Sequence, residues 1–399
     1  MVTRALYPDL INHVPEKECT ILIGARQTGK STLLKQLQDA LLKNGETVVL
    51  LNLERKDILL ELNQSPENIF SYFPAKGTRK YLLVDKVQYL EDPTNFLKLL
   101  YDEHAPNLKI IATGSSAFYI DRQFKDSLAG RKKIFELPTL DFEEFLLFKN
   151  QEKLLAEYQS LKKGTKQKST SEPQLWAALD EYVNYGGYPA IVLENKVAKK
   201  IERLQEIRDS FVKRDILEAG ITDETKFFRL MMLLASQIGN LVNTNELANT
   251  LKITHPATEN YLYILRKCFH IELVKPFFSN VRKELVKMPK VYFNDLGLRN
   301  VLVNYFSPIE QRADKGALLE NYVYRSLSDR LNRDQVKFWR TADGNEVDFV
   351  LEESNKGGKA IEVKFNEAEA NTKKYKKFTE LYPNYPVQFF SWRGEKLFL

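Results

Sequence analysis

The chain is poor in the residues that build disulfide frameworks and zinc sites. Its 399 residues include two cysteines, Cys19 and Cys268, which lie far apart and follow no metal-binding spacing. This usage argues against a disulfide-rich extracellular scaffold and against a structural zinc site. It fits a reducing compartment, and we therefore expect a cytoplasmic protein.

Long apolar runs are absent as well. No stretch of the sequence has the roughly 20 apolar residues that a membrane-spanning helix needs. The first residues, MVTRALYPDLINHV, lack the apolar core of a signal peptide. We therefore expect no membrane partner.

Composition and charge are otherwise ordinary. Hydrophobic residues make up 43% and charged residues 28% of the chain, as in soluble globular proteins. The length suggests two to three domains. The net charge of +6 permits an anionic partner such as nucleic acid but is too small to require one.

The most informative stretch covers residues 20–34, TILIGARQTGKSTLL. An apolar run at 20–23 predicts a strand, and residues 30–43 predict a helix that ends at Asn44-Gly45. Between them lies the pattern G-x-x-x-x-G-K-[ST] of a phosphate-binding loop (P-loop) in its required setting, after a strand and before a helix. The predicted nucleotide-binding residues are Gly24, Ala25, Arg26, Gln27, Thr28, Gly29, Lys30, Ser31 and Thr32.

Each residue type in this loop has a chemical role in binding phosphate. Gly24 and Gly29 let the backbone curl so that successive N–H groups point at phosphate oxygens. The N-terminus of the following helix adds a partial positive charge. Lys30 can reach the β- and γ-phosphates, and the Ser31 hydroxyl can bind Mg²⁺. ATP and Mg²⁺ are therefore the predicted cofactors.

Strands and helices alternate through the rest of this region. Buried strands are predicted at 47–53, 80–85 and 109–114, with helices at 58–62, 68–73 and 92–104. This alternation predicts a parallel sheet with ligands at the carboxyl ends of its strands. The strand at 80–85 ends in Asp85, the Walker B form, and Asp85 is expected to hold Mg²⁺ beside Ser31. Glu54, Asp85 and Ser115 should project from the same edge.

Residues 1–150 resemble the prokaryotic ATPase branch of the AAA+ class. The segments that carry the resemblance are GARQTGKST, LLVDKVQYL, IATGSSA and LAGRKKIFELPTLDFEEFL. It implies that a polar residue after the fourth strand senses the γ-phosphate, here Ser115 with Ser116 second. It also implies that Arg131 acts as a finger in trans or as a sensor. The residues alone fit equally well a solvated basic cluster of Arg131, Lys132 and Lys133.

One departure from that family concerns catalysis. The family pattern after the strand acid is Asp-Glu, and the Glu polarises the attacking water, whereas here the pair is Asp85-Lys86. A lysine cannot be that base at neutral pH unless it is strongly desolvated. We therefore expect tight ATP binding with slow hydrolysis. Glu54 is a candidate substitute base and Gln88 a candidate to orient water, although Glu54 also fits an exposed carboxylate at a strand end.

The middle of the chain is predicted to be a surface loop at 161–173, a helical connector at 172–239 and a winged helix at 240–295. The last segment has two helices, two strands at 271–277 and 290–293, and a basic wing at 280–283 between the strands. In DNA readers of this shape the second helix enters the major groove, but winged helices also bind proteins, and both readings stay open. The candidate DNA contacts are Thr254, His255, Thr258, Asn260, Arg282 and Lys283.

Residues 296–399 contain an acid on one predicted strand followed by Glu-x-Lys on the next, the pattern of PD-(D/E)xK nucleases. Strand alternation places Glu362 and Lys364 on one face. Asp348 and Glu362 are candidates to share Mg²⁺, with Lys364 stabilising charge and Glu320 contributed by a helix at 317–331. The segment resembles a poorly characterised domain that commonly follows this ATPase in prokaryotes and is grouped with that nuclease fold. Such acids can also hold a fold or bind DNA without cutting it.

The sequence thus predicts an α/β P-loop NTPase sheet, then a helical and winged-helix region, then a restriction-endonuclease-like α/β domain. The first functional hypothesis is an ATPase that acts on DNA. The alternatives are a nucleotide-controlled switch with a protein partner and an ATP-regulated nuclease. If Arg131 acts in trans, a homo-oligomer is expected, either a dimer or a hexameric ring.

Overall fold

The structure is a computed structural model, and it describes residues 2–74, 79–114, 128–163, 171–278, 284, 287–354 and 357–394. The chain divides into two compact units. The first comprises Met1–Pro138, Arg214–Ile221 and Lys267–Phe269. The second comprises Thr139–Lys213, Thr222–Arg266 and His270–Leu399.

A five-stranded parallel sheet forms the centre of the first unit. Its strands are β1 (Cys19–Ile23), β2 (Thr47–Asn52), β3 (Lys80–Asp85), β4 (Leu108–Thr113) and β5 (Lys132–Glu136). They lie in the order β2-β3-β4-β1-β5, and each neighbouring pair is parallel. The predicted α/β class with a parallel sheet is confirmed, and β1 lies inside the sheet between β4 and β5.

Helices cover both faces of this sheet. They are α1 (Tyr7–His13), α2 (Lys30–Lys43), α3 (Lys56–Gln64) and α4 (Pro93–His104). Leu33 of α2 packs with Leu22 of β1 in one core cluster, whereas Phe96 of α4 packs with Ile21 in the other. Successive strand residues point to opposite faces, so a strand that is covered on both sides is apolar at nearly every position.

Two predicted elements of the first unit differ from the structure. The strand predicted as buried at 47–53 is β2, in which Leu51 alone is buried while its other residues are half-buried. The reason is its place at the edge of the sheet, where β3 is its single neighbouring strand. The helix predicted at 68–73 is a 3₁₀-helix, Pro66–Tyr72.

Helices form the first part of the second unit. They are α5 (Phe142–Phe148), α6 (Glu152–Lys162), α7 (Glu172–Tyr185), α8 (Pro189–Val192), α9 (Val197–Glu218), α10 (Glu224–Ser236), α11 (Thr244–Leu251) and α12 (His255–Lys267). Residues 214–218 at the end of α9 belong to the first unit. The loop predicted at 161–173 is shortened by α6 and α7, and residues 164–170 lie outside the described part. Among the described helices, none combines the length and apolarity that a bilayer span needs.

An antiparallel hairpin follows α12. It consists of β6 (Ile271–Val274) and β7 (Lys290–Phe293). The described part of 240–295 therefore has the predicted order of two helices and two strands. The predicted wing, including Arg282 and Lys283, lies outside the described residues.

A second sheet completes this unit. Its elements are α13 (Leu296–Val303), α14 (Lys315–Ser328), β8 (Val336–Arg340), β9 (Glu346–Ser354), β10 (Gly357–Lys364), α15 (Lys376–Leu381) and β11 (Val387–Ser391). The strand order is β11-β10-β9-β8. β10 runs parallel to β11 and antiparallel to β9, and β9 runs antiparallel to β8. Trp339, Val350 and Phe378 belong to a common core cluster.

Candidate functional site

The backbone of the predicted P-loop depends on glycine at two positions. Gly24 has a φ of 150°, and a Cβ atom there would lie 2.2 Å from the carbonyl oxygen of Leu137. Gly29 has a φ of 96° and is the N-cap of α2. Gln27 also adopts a left-handed φ, at 62°. These turns lead from the carboxyl end of β1 into the first turn of α2, the arrangement that a P-loop needs.

Lys30 is held against the loop itself. Its Nζ atom donates to the carbonyl oxygens of Gly24 at 2.9 Å and Ala25 at 2.6 Å, and the side chain is buried. The Thr28 hydroxyl also donates to the carbonyl of Ala25, at 3.0 Å. These bonds keep a positive charge within the curl of the loop, which is what phosphate oxygens require.

Two arginine contacts that sequence reasoning missed brace the loop. Arg4 donates through Nη1 to the carbonyl of Thr28 at 2.7 Å and through Nη2 to that of Pro138 at 2.8 Å. Arg26 forms an ion pair with Glu218 at 2.6 Å. Arg26 and Glu218 are 192 positions apart, so no local pattern indicates their contact.

The residues predicted to hold Mg²⁺ offer the oxygen ligands that this ion prefers. Asp85 is the buried last residue of β3, and Ser31 lies half-buried in the first turn of α2. Thr113, the last residue of β4, donates its hydroxyl to Oδ1 of Asp85 at 2.5 Å and accepts the backbone N–H of Lys86 at 3.0 Å. Thr113 therefore fixes the orientation of the acid. Ser115, predicted to be the sensor, lies outside the described residues.

Lys86 has a left-handed φ of 66°, which residues other than glycine rarely adopt. Its ammonium forms an ion pair with Glu54, which follows β2. The hydrogen bond from Lys86 lowers the pKa of Glu54; burial opposes this shift, and the charges of Lys86 and Arg214 add to it. A general base works best with a pKa near the operating pH. The pairing therefore makes Glu54 a weaker base than an unpaired carboxylate.

The remaining ATPase candidates are Gln88 and Arg131. Gln88 is buried in the 3₁₀ turn Val87–Tyr89 that follows Lys86. Arg131 donates through Nε to Oδ1 of Asp102 on α4 at 2.6 Å, and 33% of its side chain is exposed. An Arg131 that acts as a finger or sensor must give up this partner.

The nuclease-like candidates converge in the second unit. Oδ2 of Asp348 on β9 accepts the backbone N–H of Val363 at 2.8 Å. Glu362 is buried on β10 and forms an ion pair with Lys364. Burial raises the pKa of Asp348 well above its ordinary value; the charges of Glu320 and Glu362 add to this shift, and Lys290 opposes it.

Two residues of this centre were not predicted, Lys290 on β7 and Glu346 on β9. The Nζ atom of Lys290 lies 3.0 Å from Oε1 of Glu320, 2.5 Å from Oε1 of Glu346 and 3.8 Å from Oδ1 of Asp348. Tyr292 donates its hydroxyl to Glu320 at 2.5 Å. A lysine at the start of a short strand carries no sequence signal for such a contact, because its partners follow 30 or more positions later.

At the predicted ligands Asp348 and Glu362 the fit to a divalent cation differs: Asp348 lies beside the ammonium of Lys290, whereas Oε2 of Glu362 is buried without a hydrogen-bond partner among the described residues. An ammonium, rather than free space, lies among the carboxylates of Glu320, Glu346 and Asp348. Within the described residues, three metal-ligating side chains converge at another place, in the first unit, where two of the three are exposed. These three residues are Glu67, Glu103 and His104.

The predicted DNA contacts are divided by burial. Thr254, His255 and Asn260 are exposed at the start of α12. Thr258 is fully buried, and its hydroxyl donates to the carbonyl of Thr254 at 3.1 Å. The prediction of Thr258 as a DNA contact is therefore wrong, because this position of the helix faces the core.

Comparison with protein families divides the chain into three segments. Residues 16–146 match the family described as AAA domain. Residues 177–309 and 315–393 match two families described as domains of unknown function, DUF8612 and DUF4143. The last match agrees with the expected domain of poorly known function after the ATPase. Neither description mentions a winged helix or a nuclease.

Similar proteins occur in bacteria and archaea. An uncharacterized protein of Haemophilus influenzae is 27% identical over 368 residues, which cover 89% of this chain and 85% of that protein. An uncharacterized protein of Methanocaldococcus jannaschii is 26% identical over 354 residues, covering 87% and 74%. Among solved structures, the RuvB Holliday junction branch migration motor of Thermotoga maritima is 13% identical with a TM-score of 0.35, covering 68% of this chain and 90% of that chain. The parallel sheet and the loop after β1 agree with the family match, so residues 16–146 form a P-loop domain similar to the AAA domain family.

Proposed function

We propose that this chain binds ATP with Mg²⁺ at residues 24–32, hydrolyses it slowly and acts on DNA. The observation that carries ATP binding is the loop after β1, in which Lys30 is held by the loop carbonyls and Gly24 permits close approach to Leu137. Ser31 and Asp85 would hold Mg²⁺. A bound Mg²⁺ supplies charge that neutralises the phosphate oxygens.

Slow hydrolysis is proposed because the position after Asp85 supplies a cation. Lys86 stands where a base is needed, and its ion pair engages Glu54, the candidate substitute base. Gln88 could still orient a water molecule. We expect turnover below about 1 s⁻¹, at the low end of the range for enzymes.

DNA is the proposed partner because of the middle segment. Two helices followed by a hairpin have the order of a winged helix, and Thr254, His255 and Asn260 are exposed at the start of the second helix. On the basis of the sequence, Arg282 and Lys283 of the predicted wing are proposed as further DNA contacts. If Arg131 leaves Asp102 and acts in trans, the chain would assemble into a dimer or a hexameric ring.

The test is ATP turnover with Mg²⁺, with and without single-stranded, duplex and branched DNA. We expect slow turnover that DNA increases and that Lys30→Ala abolishes. The matched control is Lys35→Ala, which removes an exposed lysine of the same helix and should leave turnover unchanged. Fast turnover that does not depend on DNA would contradict the proposal.

The second candidate is a nucleotide-controlled switch that binds a protein partner. The ion pair between Lys86 and Glu54 favours it, because a slow ATPase stays in its ATP-bound state for long periods. The switch would be supported over the DNA-acting ATPase by two results together. The wild type would bind ATP while Lys30→Ala does not, and the turnover rate would be the same with every DNA. An ATP-regulated nuclease is a weaker candidate, since Lys290 lies among its acids.

A further inference from the structure

The acids that the nuclease pattern singles out surround a lysine from outside that pattern. We define the lysine-centred cluster as Lys290 with Glu320, Glu346 and Asp348, all in the second unit. The Lys290 side chain is 1% exposed, and its Nζ atom also lies 5.5 Å from the ring centre of Phe338. A charge buried to this extent is stable only when opposite charges surround it, and the three carboxylates provide them.

The other bonds of these carboxylates show that the cluster is paired as it stands. Glu320 accepts from Tyr292 as well as from Lys290. Glu346 is shared between Lys290 and Arg340, whose Nη1 lies 2.8 Å from Oε2. Asp348 accepts the backbone N–H of Val363. Each acid of the cluster therefore has a donor other than a metal ion. Glu362, outside the cluster, pairs with Lys364 through Oε1, and its Oε2 is buried without a hydrogen-bond partner in the described part of the chain.

Lys290 is also fixed in place by its backbone. It lies in β7, where it pairs with Val274 across the hairpin and forms an isolated bridge with Leu241 on its other side. Lys364, by contrast, is the last residue of β10, and 22% of its side chain is exposed. An incoming cation could displace the partly exposed Lys364 into solvent, whereas the Lys290 side chain is buried and has no direct contact with solvent to move into.

We propose that Lys290 is the permanent cation of this centre, so that the second unit binds no divalent metal between Glu320, Asp348 and Glu362 and does not cleave nucleic acid by a metal-dependent reaction. A divalent ion beside a fixed ammonium would meet strong repulsion at low dielectric. The inference goes beyond the proposed ATPase function and is independent of it, because all the residues concerned belong to the second unit.

The first test measures metal binding by the full-length wild type without nucleotide. Mn²⁺ is titrated and free Mn²⁺ is followed by electron paramagnetic resonance. We expect no stoichiometric Mn²⁺ site that depends on Asp348 or Glu362. A bound Mn²⁺ that is lost in both Asp348→Asn and Glu362→Gln would overturn the proposal. If both variants retain a bound Mn²⁺, that site does not depend on Asp348 or Glu362, and the result agrees with the proposal.

The second test removes the lysine. Lys290→Met leaves three carboxylates without their shared cation, so we expect a lower Tm that Mn²⁺ raises again by several degrees, while the wild-type Tm does not respond. The matched control is Lys200→Met, which removes a lysine that is 3% exposed and pairs with the carboxylate of Glu181. Its Tm should fall without recovery in Mn²⁺.

The outcomes of this test are distinct. A folded Lys290→Met protein whose Tm does not respond to Mn²⁺ would contradict the role of Lys290 as the stand-in cation. Equal recovery in the Lys200→Met control would also contradict it, because the effect would then be nonspecific. If Lys290→Met does not fold, the titration of the wild type decides the question alone.

Discussion

Lys86 is the residue on which the proposed slow rate of ATP hydrolysis depends. Its backbone N–H is bound to Thr113, the residue that also donates to Asp85, and its ammonium is bound to Glu54. The left-handed backbone at Lys86 is a conformation that costs free energy for a residue with a side chain. These contacts fix Lys86 in one arrangement. They therefore hold a cation at the position after the strand acid, where a water-activating carboxylate is expected.

The first prediction restores that carboxylate. Lys86→Glu supplies a general base and also releases Glu54 from its ion pair. We therefore expect ATP turnover to rise at least about tenfold, a lower bound set below the roughly 10²- to 10⁴-fold that a well-placed general base contributes. Steady-state phosphate release measures the change.

The control for this variant is Lys86→Gln, which removes the ammonium without adding a base. It also frees Glu54 from its ion pair, so turnover should rise less than in Lys86→Glu. If Lys86→Gln accelerates turnover as much as Lys86→Glu does, removal of the ammonium, with release of Glu54, is sufficient, and a carboxylate at position 86 is not required.

At the scale of elements, sequence reasoning succeeded where the pattern is local. The strand, the glycine turns and the helix at residues 19–43 follow one another along the chain, and each has its own signal. The edge position of β2 could not be predicted, because strand order depends on packing and not on the apolar run itself. Thr113 and Lys290 were missed for a similar reason, since their partners are 27 or more positions away.

The second prediction concerns the turn between β1 and α2. Gly24→Ala places a methyl group 2.2 Å from the carbonyl oxygen of Leu137, so the loop must move. We expect loss of ATP binding and a fall in the free energy of unfolding of about 3 kcal/mol. Gly45→Ala is the control, because Gly45 also has a positive φ, 79°, but open space around it.

Gly45→Ala should cost about 1 kcal/mol and leave ATP binding intact. Chemical denaturation and titration with a fluorescent ATP analogue measure the two effects. Equal stability losses in the two variants would mean that φ, and not the contact with Leu137, decides the cost.

The third prediction concerns the start of α5. Oδ1 of Asp141 accepts the backbone N–H of Glu144 at 2.7 Å in a capping box. Burial, followed by the charges of Glu144 and Asp329, raises the pKa of Asp141 to about 7 from its ordinary value of 3.8. Between about pH 4 and pH 7 the folded state therefore binds more protons than the unfolded state, and the free energy of unfolding falls as pH rises through this window.

Asp141→Asn keeps a capping side chain but removes the titration. We expect its free energy of unfolding to fall less than that of the wild type between pH 4 and pH 7, by on the order of 1 kcal/mol. Urea denaturation across this pH range measures the difference. The control is Asp92→Asn, which makes the same substitution at the exposed N-cap of α4.

At the scale of the whole molecule, the chain forms two compact units with different chemistry. The first holds the P-loop, the strand acid and the Lys86–Glu54 pair, whereas the second holds the lysine-centred cluster and the exposed start of α12. A ligand that binds only the folded form of one unit stabilises that unit by mass action. Whether such a ligand shifts one unfolding transition or the unfolding of the whole chain therefore reports whether the two units unfold separately.

The fourth prediction uses ATP as that ligand. At a concentration 100 times its Kd, ATP with Mg²⁺ should add about 2.7 kcal/mol to the free energy of unfolding of the first unit. In differential scanning calorimetry we expect two transitions, one of which rises by about 5 °C with ATP while the other stays in place. The rise should vanish in Lys30→Ala and persist in Lys35→Ala. A single transition that ATP raises as a whole would mean that the two units unfold cooperatively, and ATP binding would then stabilise the second unit as well as the first.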